Sequence, residues 1–273
     1  METWRLLSFQ RLSGAENMAV DEAIFRETAK RGGEPTLRLY GWIRPTVTIG
    51  YSQDLEREVN CAFCQERGID IVRRPTGGKA VYHSTDLTYS LASSQHRSPF
   101  SIDILGTYRV IGRCLIRGLK KISVNAELVE EGRAPGRCYE EAGCFAVPFR
   151  NELLVKEAKI CGSAQVRGRG CFLQHGSILI DFDPVTSLRI MGKVGCDEEE
   201  AARHLEETVT CVSHETSVPI TAEHLAPYIG NGFEELLNVR LVKGGLTGQE
   251  RALAARLITE KYGNHRWNER GRL

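Results

Sequence analysis

Cys144 and Lys159 stand fifteen residues apart in a stretch that ends at Asp181. Lys159 opens a run of small residues, Lys159-Ile160-Cys161-Gly162-Ser163-Ala164-Gln165, and a second apolar segment ends on His175-Gly176-Ser177. A thiol, an ammonium, backbone-exposing small residues and an imidazole are the parts of a covalent acyl-transfer site. A thiol becomes a good nucleophile when a nearby cation stabilises its thiolate. Lys159 could do this for Cys144 if the fold brings them together. It could equally donate a hydrogen bond to a carbonyl oxygen and stabilise the oxyanion formed on attack. Neither role requires a nucleotide or a metal. A cysteine–histidine pair, with His83 or His175 as base, is the competing arrangement.

A second chemical stretch is Arg73-Arg74-Pro75-Thr76-Gly77-Gly78-Lys79. Paired glycines let the backbone approach a ligand, and turn amides can bind carbonyl or phosphate oxygens. Arg73, Arg74, Thr76 and Lys79 around them read as an anion-binding set, with a plain tight turn as the alternative. The glycine spacing of a P-loop is missing. Cys61 and Cys64 form a CxxC pair without a second pair or suitably spaced histidines, so they read as two thiols on a short helix rather than a zinc site.

The elements that must position these residues follow from periodicity. Ser13 to Lys30 reads as a helix opened by a capping box, Ser13 with Glu16, and stopped by Gly32-Gly33. Asn17 and Asp21, four apart, read as its polar face. Thr36–Trp42 alternates like a half-buried strand and reads with Thr46–Tyr51 as a hairpin or meander. Ile69–Arg74, Ala80–Ser84 and Leu87–Ala92 are strands separated by the glycine turn and a further turn. Ser101–Lys121 is a helix with Cys114 on its apolar stripe. Residues 127–143 read as an exposed loop leading to Cys144, where a cysteine is better placed to react than inside an apolar face. Glu152–Val155 and Lys159–Arg167 read as a hairpin, and Cys171–Asp181 as the next strand. Helices follow at about 198–211, 221–237 and 247–262, the last opened by a Thr247–Glu250 capping box. The organisation is α+β, a mixed sheet flanked by helices, in one domain over 1–273 with a helical portion at about 196–265.

Composition narrows the class. The 273 residues carry 36 basic and 35 acidic side chains, a net charge of +1, which is no electrostatic footprint for nucleic acid or an anionic membrane. No apolar run is long enough to span a bilayer, and no signal peptide is expected at METWRLLSFQ. Nine cysteines without a repeating spacing indicate free thiols in a reducing compartment. A cytoplasmic location and a monomer are expected.

Taken together, the motifs carry a family resemblance. Arg73 to His83, RRPTGGKAVYH, resembles the RRxTGG(R/K)AVxH motif of the lipoate-protein ligase A and octanoyltransferase superfamily. Lys159-Ile160-x-Gly162-Ser163-Ala164-Gln165 with Leu173-Gln174-His175-Gly176-Ser177 resembles its second signature. Asn17-Met18-Ala19-x-Asp21 and Arg38-x-Tyr40-x-Trp42 are similar to its N-terminal pattern. Cys144-Phe145-x-x-Pro148 followed by Glu152 resembles the LipM-type octanoyl-carrier-protein:protein octanoyltransferases. Phe149-Arg150-Asn151 departs from that pattern, where a small residue and an aromatic are expected, and this bears on the acceptor-facing side.

The resemblance implies the catalytic-domain fold shared by biotin and lipoate protein ligases. It implies transfer of an octanoyl group from octanoyl-acyl carrier protein, through a thioester on Cys144, to a lysine of a lipoyl domain, that of the glycine cleavage H protein. Lys159 is then the partner that lowers the thiol's pKa. Arg73, Gly77, Gly78 and His83 would line one side of the acyl site, and Gly162, Ser163, Gln165, His175 and Gly176 the other. Val81, Ile160 and Leu173 could supply an apolar tunnel. No cofactor or metal is implied. An ATP-dependent lipoate ligase, with Cys144 incidental, and a non-catalytic lipoyl-domain-binding protein are the alternatives.

Overall fold

A computed structural model describes residues 1–31, 33–100, 103–129, 152–191 and 197–271. The chain runs β1 (Glu2–Leu12), α1 (Gly14–Arg31), β2 (Thr36–Trp42), β3 (Thr46–Ile49), α2 (Leu55–Glu58), α3 (Cys61–Glu66), β4 (Asp70–Arg73), β5 (Val81–His83) and β6 (Leu87–Ser94). It continues with α4 (Ile104–Lys120), β7 (Glu127–Leu128), β8 (Leu153–Val155), β9 (Ala158–Gly168), β10 (Cys171–Ile178), α5 (Pro184–Met191), α6 (Glu198–Thr208) and α7 (Val212–Glu215). The last elements are α8 (Ala222–Leu237), β11 (Val239–Gly244), α9 (Gly248–Leu257), a π-helical turn (Ile258–Tyr262) and α10 (His265–Arg270). This is the α+β arrangement of a mixed sheet and flanking helices.

Eight strands form one sheet in the order β11-β1-β2-β6-β10-β9-β8-β7. β1 runs parallel to both β11 and β2, and the remaining neighbours are antiparallel. Helices cover both faces. On one, α4 and α8 bring Ile111, Leu115, Leu119, Ile229 and Phe233 against Leu37, Tyr89 and Phe172. Each such side chain contributes roughly 1.5–3 kcal/mol by leaving water. The two helices approach until a Cβ on Gly232 would lie 2.2 Å from the Cys114 carbonyl oxygen, so only glycine fits at that crossing. On the other face, α1 and α9 pack Met18, Ala23, Ile24, Leu253 and Leu257 against Tyr40, Trp42 and Leu173.

This double cover corrects the reading of Thr36–Trp42 as half-buried. Every residue of β2 is buried, and the polar ones, Thr36 and Arg38, are buried among partners. A further correction concerns the proposed hairpin. Both edges of β2 are taken by β1 and β6, so β3 has no place beside it. It forms instead the centre of a separate sheet, β4-β3-β5, parallel to β4 and antiparallel to β5. The glycine turn between β4 and β5 therefore crosses the end of β3. A Cβ on Gly50 would sit 2.0 Å from the Gly78 carbonyl oxygen, and Tyr51 N–H donates to the Thr76 carbonyl at 2.8 Å.

Both capping boxes form: Ser13 N–H donates to Glu16, and Thr247 exchanges bonds with Glu250. The β8–β9 hairpin forms as read. The residues after 196 contain a strand, β11, which joins the sheet edge, and a final helix, α10, that the periodicity reading omits. Of the loop read at 127–143, only Val129 and the short strand β7 belong to the described residues. No described helix is long and apolar enough to cross a membrane.

Candidate active site

A cavity of about 530 Å³, part of it open to solvent, lies where the two sheets meet. Gly162, Ser163 and Ala164 of β9 and His175, Gly176 and Ser177 of β10 line one side. Arg74, Gly78, Val81 and His83 line the other, with Met18, Tyr40, Trp42 and Glu152 closing it.

Lys159 sits in β9 with no exposed side-chain surface, and its Nζ donates to Glu152 Oε1 at 2.5 Å. A buried ammonium requires such a partner, because desolvating it alone costs several kcal/mol. Gly162 supplies the room. A Cβ there would come within 3.1 Å of Lys159 Cε and 3.2 Å of its Nζ. The lysine thus lies just behind the cavity wall, and its carboxylate partner is on that wall. Cys144, Phe145 and Pro148 lie outside the described residues.

Arg74 joins two matching rows of hydrogen bonds. Its Nε donates to Thr76 Oγ1 at 3.1 Å, and one terminal nitrogen donates to Thr48 Oγ1 at 3.2 Å. Thr76 Oγ1 lies 2.7 Å from His175 Nε2, and Thr48 Oγ1 lies 3.0 Å from His83 Nε2. The other ring nitrogens face carboxylates, His175 Nδ1 to Asp21 at 3.3 Å and His83 Nδ1 to Asp86 at 2.9 Å. A carboxylate only accepts, so each Nδ1 carries a proton. Burial lowers the His175 pKa despite Asp21 beside it. The imidazole is therefore neutral, and its Nε2 accepts from Thr76. Both nitrogens of each histidine are used in holding the walls together, which is a different job from serving as base to a thiol.

Asp21 corrects the surface reading of α1. It is fully buried and binds Arg38, Tyr40, Ser90 and His175. Burial alone would raise its pKa, but the Arg38 guanidinium and the His175 bond hold it below the usual carboxylate value. Asn17 is buried beside it, with its amide on the Leu12 and Gly41 carbonyls. The family-like spacing of Asn17 and Asp21 with Arg38 and Tyr40 was the available signal, and helical periodicity concealed it.

The structure brings Gly78, His83, Gly162, Ser163, His175 and Gly176 together around the cavity. Arg73 is elsewhere. Its guanidinium donates to the carbonyls of Gly50, Tyr51 and Gln53 and to those of Trp267, Asn268 and Glu269. It clasps α10 to the small sheet. Gly77 serves through its carbonyl, which accepts from Arg74. Arg73 therefore holds backbone away from the cavity, while Arg74 stays on its wall, bonded to Thr48, Thr76 and the carbonyls of Gly77 and Lys79. Gln165 is tied to Gln174 and Arg167. Leu173 packs in the core between α1 and the sheet and Ile160 in the core beneath α4, while Val81 reaches the cavity. Cys161 and Cys171 are buried, and burial pushes the Cys161 thiol up to about 12. Among the described residues no three metal-ligating side chains converge.

The lipoyl protein ligase A/B catalytic domain matches residues 13–234. The chain belongs to this family. Within the family, it is 40% identical to octanoyltransferase LipM of Kyrpidia tusciae, over 99% of this chain and all of that one. It is 36% identical to octanoyltransferase LipM of Carboxydothermus hydrogenoformans, over 98% of both chains. Among solved members, a lipoate-protein ligase A bound with ATP superposes with a TM-score of 0.81 at 28% identity, covering 98% of this chain and 99% of that one. A bi-partite lipoate protein ligase from Thermoplasma acidophilum, studied with its E2 lipoyl domain, gives 0.82 at 27% identity over 98% and 97%. This lipoyl-ligase-type chain is an enzyme, an acyltransferase of protein lipoylation.

Proposed function

We propose that the chain moves an octanoyl group from octanoyl-acyl carrier protein to a lysine of a lipoyl domain, that of the glycine cleavage H protein. Cys144 carries the group between them. Its thiolate attacks the donor thioester, a new C–S bond forms, and the carrier's thiol leaves with a proton. The acceptor amine then attacks the Cys144 thioester, loses its proton and releases the cysteine. Lys159 provides the positive charge that favours the thiolate and the developing oxyanion.

The observation that carries this reading is the buried Lys159 ammonium, held by Glu152 behind the small residues of the cavity wall. Glu152 follows Cys144 by only eight residues and lines the same cavity. Full-length likeness to octanoyltransferases supports it further.

Likeness to an ATP-bound lipoate ligase favours a second reading, in which the cavity holds an acyl-adenylate. Incubation with octanoyl-acyl carrier protein, without ATP, followed by intact mass measurement separates the two. An octanoyl adduct that Cys144→Ser abolishes supports the first. Acceptor octanoylation only from octanoate and ATP establishes the second and overturns the first.

A further inference from the structure

Ser163 is the cavity end of a row of polar side chains that begins at Arg167. Arg167 Nε donates to Gln165 Oε1 at 2.7 Å. Gln165 Nε2 donates to Gln174 Oε1 at 2.8 Å, and Gln174 Nε2 donates to the Tyr89 hydroxyl at 2.9 Å. The Tyr89 oxygen lies 2.7 Å from Ser163 Oγ. β9, β10 and β6 are adjacent strands, and their register sets Gln165 opposite Gln174.

The row can point only one way. A guanidinium has no acceptor, so it fixes which end of the Gln165 amide faces it. That orientation fixes Gln174, which in turn makes the Tyr89 oxygen an acceptor. Tyr89 is buried, and burial pushes its phenol pKa up, so it keeps its single proton. A buried hydroxyl proton left unpaired costs about 1–3 kcal/mol. Tyr89 therefore donates to Ser163. Ser163 Oγ, already accepting, has its own proton to donate. That proton now goes to the Cys161 sulfur, a weak acceptor that a carbonyl oxygen in the cavity would outcompete.

We infer that Arg167, Gln165, Gln174 and Tyr89 commit the Ser163 hydroxyl to donate into the cavity, where it selects an acyl group by its carbonyl oxygen. Ser163 touches the substrate; the other four are positioning residues. Gln165 thus leaves the set of substrate-contacting residues. The assignment rests on the acyl-transfer reading of the cavity.

The test is a matched pair of ligands bound to Cys144→Ala protein: octanoyl-pantetheine, and S-octyl-pantetheine, which lacks only the carbonyl. With Ser163 present, the thioester binds about three- to tenfold more tightly, the value of one neutral hydrogen bond. Ser163→Ala removes the preference, and Ser163→Thr keeps it. Tyr89→Phe weakens it, and adds nothing once Ser163 is alanine. An undiminished preference in Ser163→Ala overturns the inference, as does an effect of Tyr89→Phe independent of Ser163. Octanoyl transfer by the unmodified protein is measured alongside. Its absence sinks the acyl-transfer reading, whereas transfer with an unchanged preference sinks only the role of Ser163.

Discussion

Lys159 Nζ and Glu152 Oε1 are 2.5 Å apart, with 0% and 7% of the two side chains exposed. The pair spans the β8–β9 hairpin: Glu152 directly precedes β8, and Lys159 is the second residue of β9. Lys159→Met and Glu152→Gln are each expected to destabilise the protein by about 3–5 kcal/mol, because each takes the opposite charge away from a buried one. The double variant should recover part of that loss in urea unfolding, yet remain unable to form an octanoyl thioester.

Arg73 separates fold from chemistry. Arg73→Ala strips hydrogen-bond donors from carbonyls in two distant segments and should cost at least about 2 kcal/mol in denaturant midpoint experiments. The affinity of the remaining folded protein for an octanoyl ligand should be unchanged. A specific loss of acyl affinity with full stability would place Arg73 back in the binding site.

Gly176→Ala places a methyl group 2.5 Å from the Gly162 carbonyl oxygen and 2.7 Å from Ser163 Oγ. The strands β9 and β10 must then separate at the cavity wall. Octanoyl transfer is expected to fall at least tenfold, with a loss of roughly 1–3 kcal/mol in stability from overpacking. Kinetic constants and an unfolding curve on the same preparation check both.

His175 gives a pH signature. Burial depresses its folded pKa below the ordinary 6.5, so between these two values the unfolded chain binds more protons than the native one. Stability from this residue is present above about pH 6.5 and declines as the pH falls toward the folded value. His175→Gln should flatten the stability profile in that window. An unchanged slope would show that the imidazole is not the titrating group.

The hairpin at Lys159, the capped helices and the glycine turn were legible because local periodicity and turn chemistry determine them. The role of Asp21 was not. Helical spacing places it on a polar face, and that face lies against the sheet, on Arg38 and Tyr40 of β2, Ser90 of β6 and His175 of β10. Arg73 misled for a related reason. Basic residues beside paired glycines suit an anion, but here the β3 crossing leaves a set of backbone carbonyls that needs the same donors. β11 escaped notice because its short, mostly unburied sequence acquires strand pairing only from β1. Gly162, Ser163, His175 and Gly176 were identified by motif, whereas the direction of the hydrogen bonds that reach Ser163 depends on residues brought in from three strands.

β1 pairs with β11, Glu2 opposite Val239, and Arg73 closes on residues 267–269. During synthesis on a ribosome, β1 must wait for the distant β11 before its outer edge is covered. The glycine turn likewise emerges long before the helix that braces it. The nascent polypeptide therefore keeps that edge exposed to other chains until β11 has emerged.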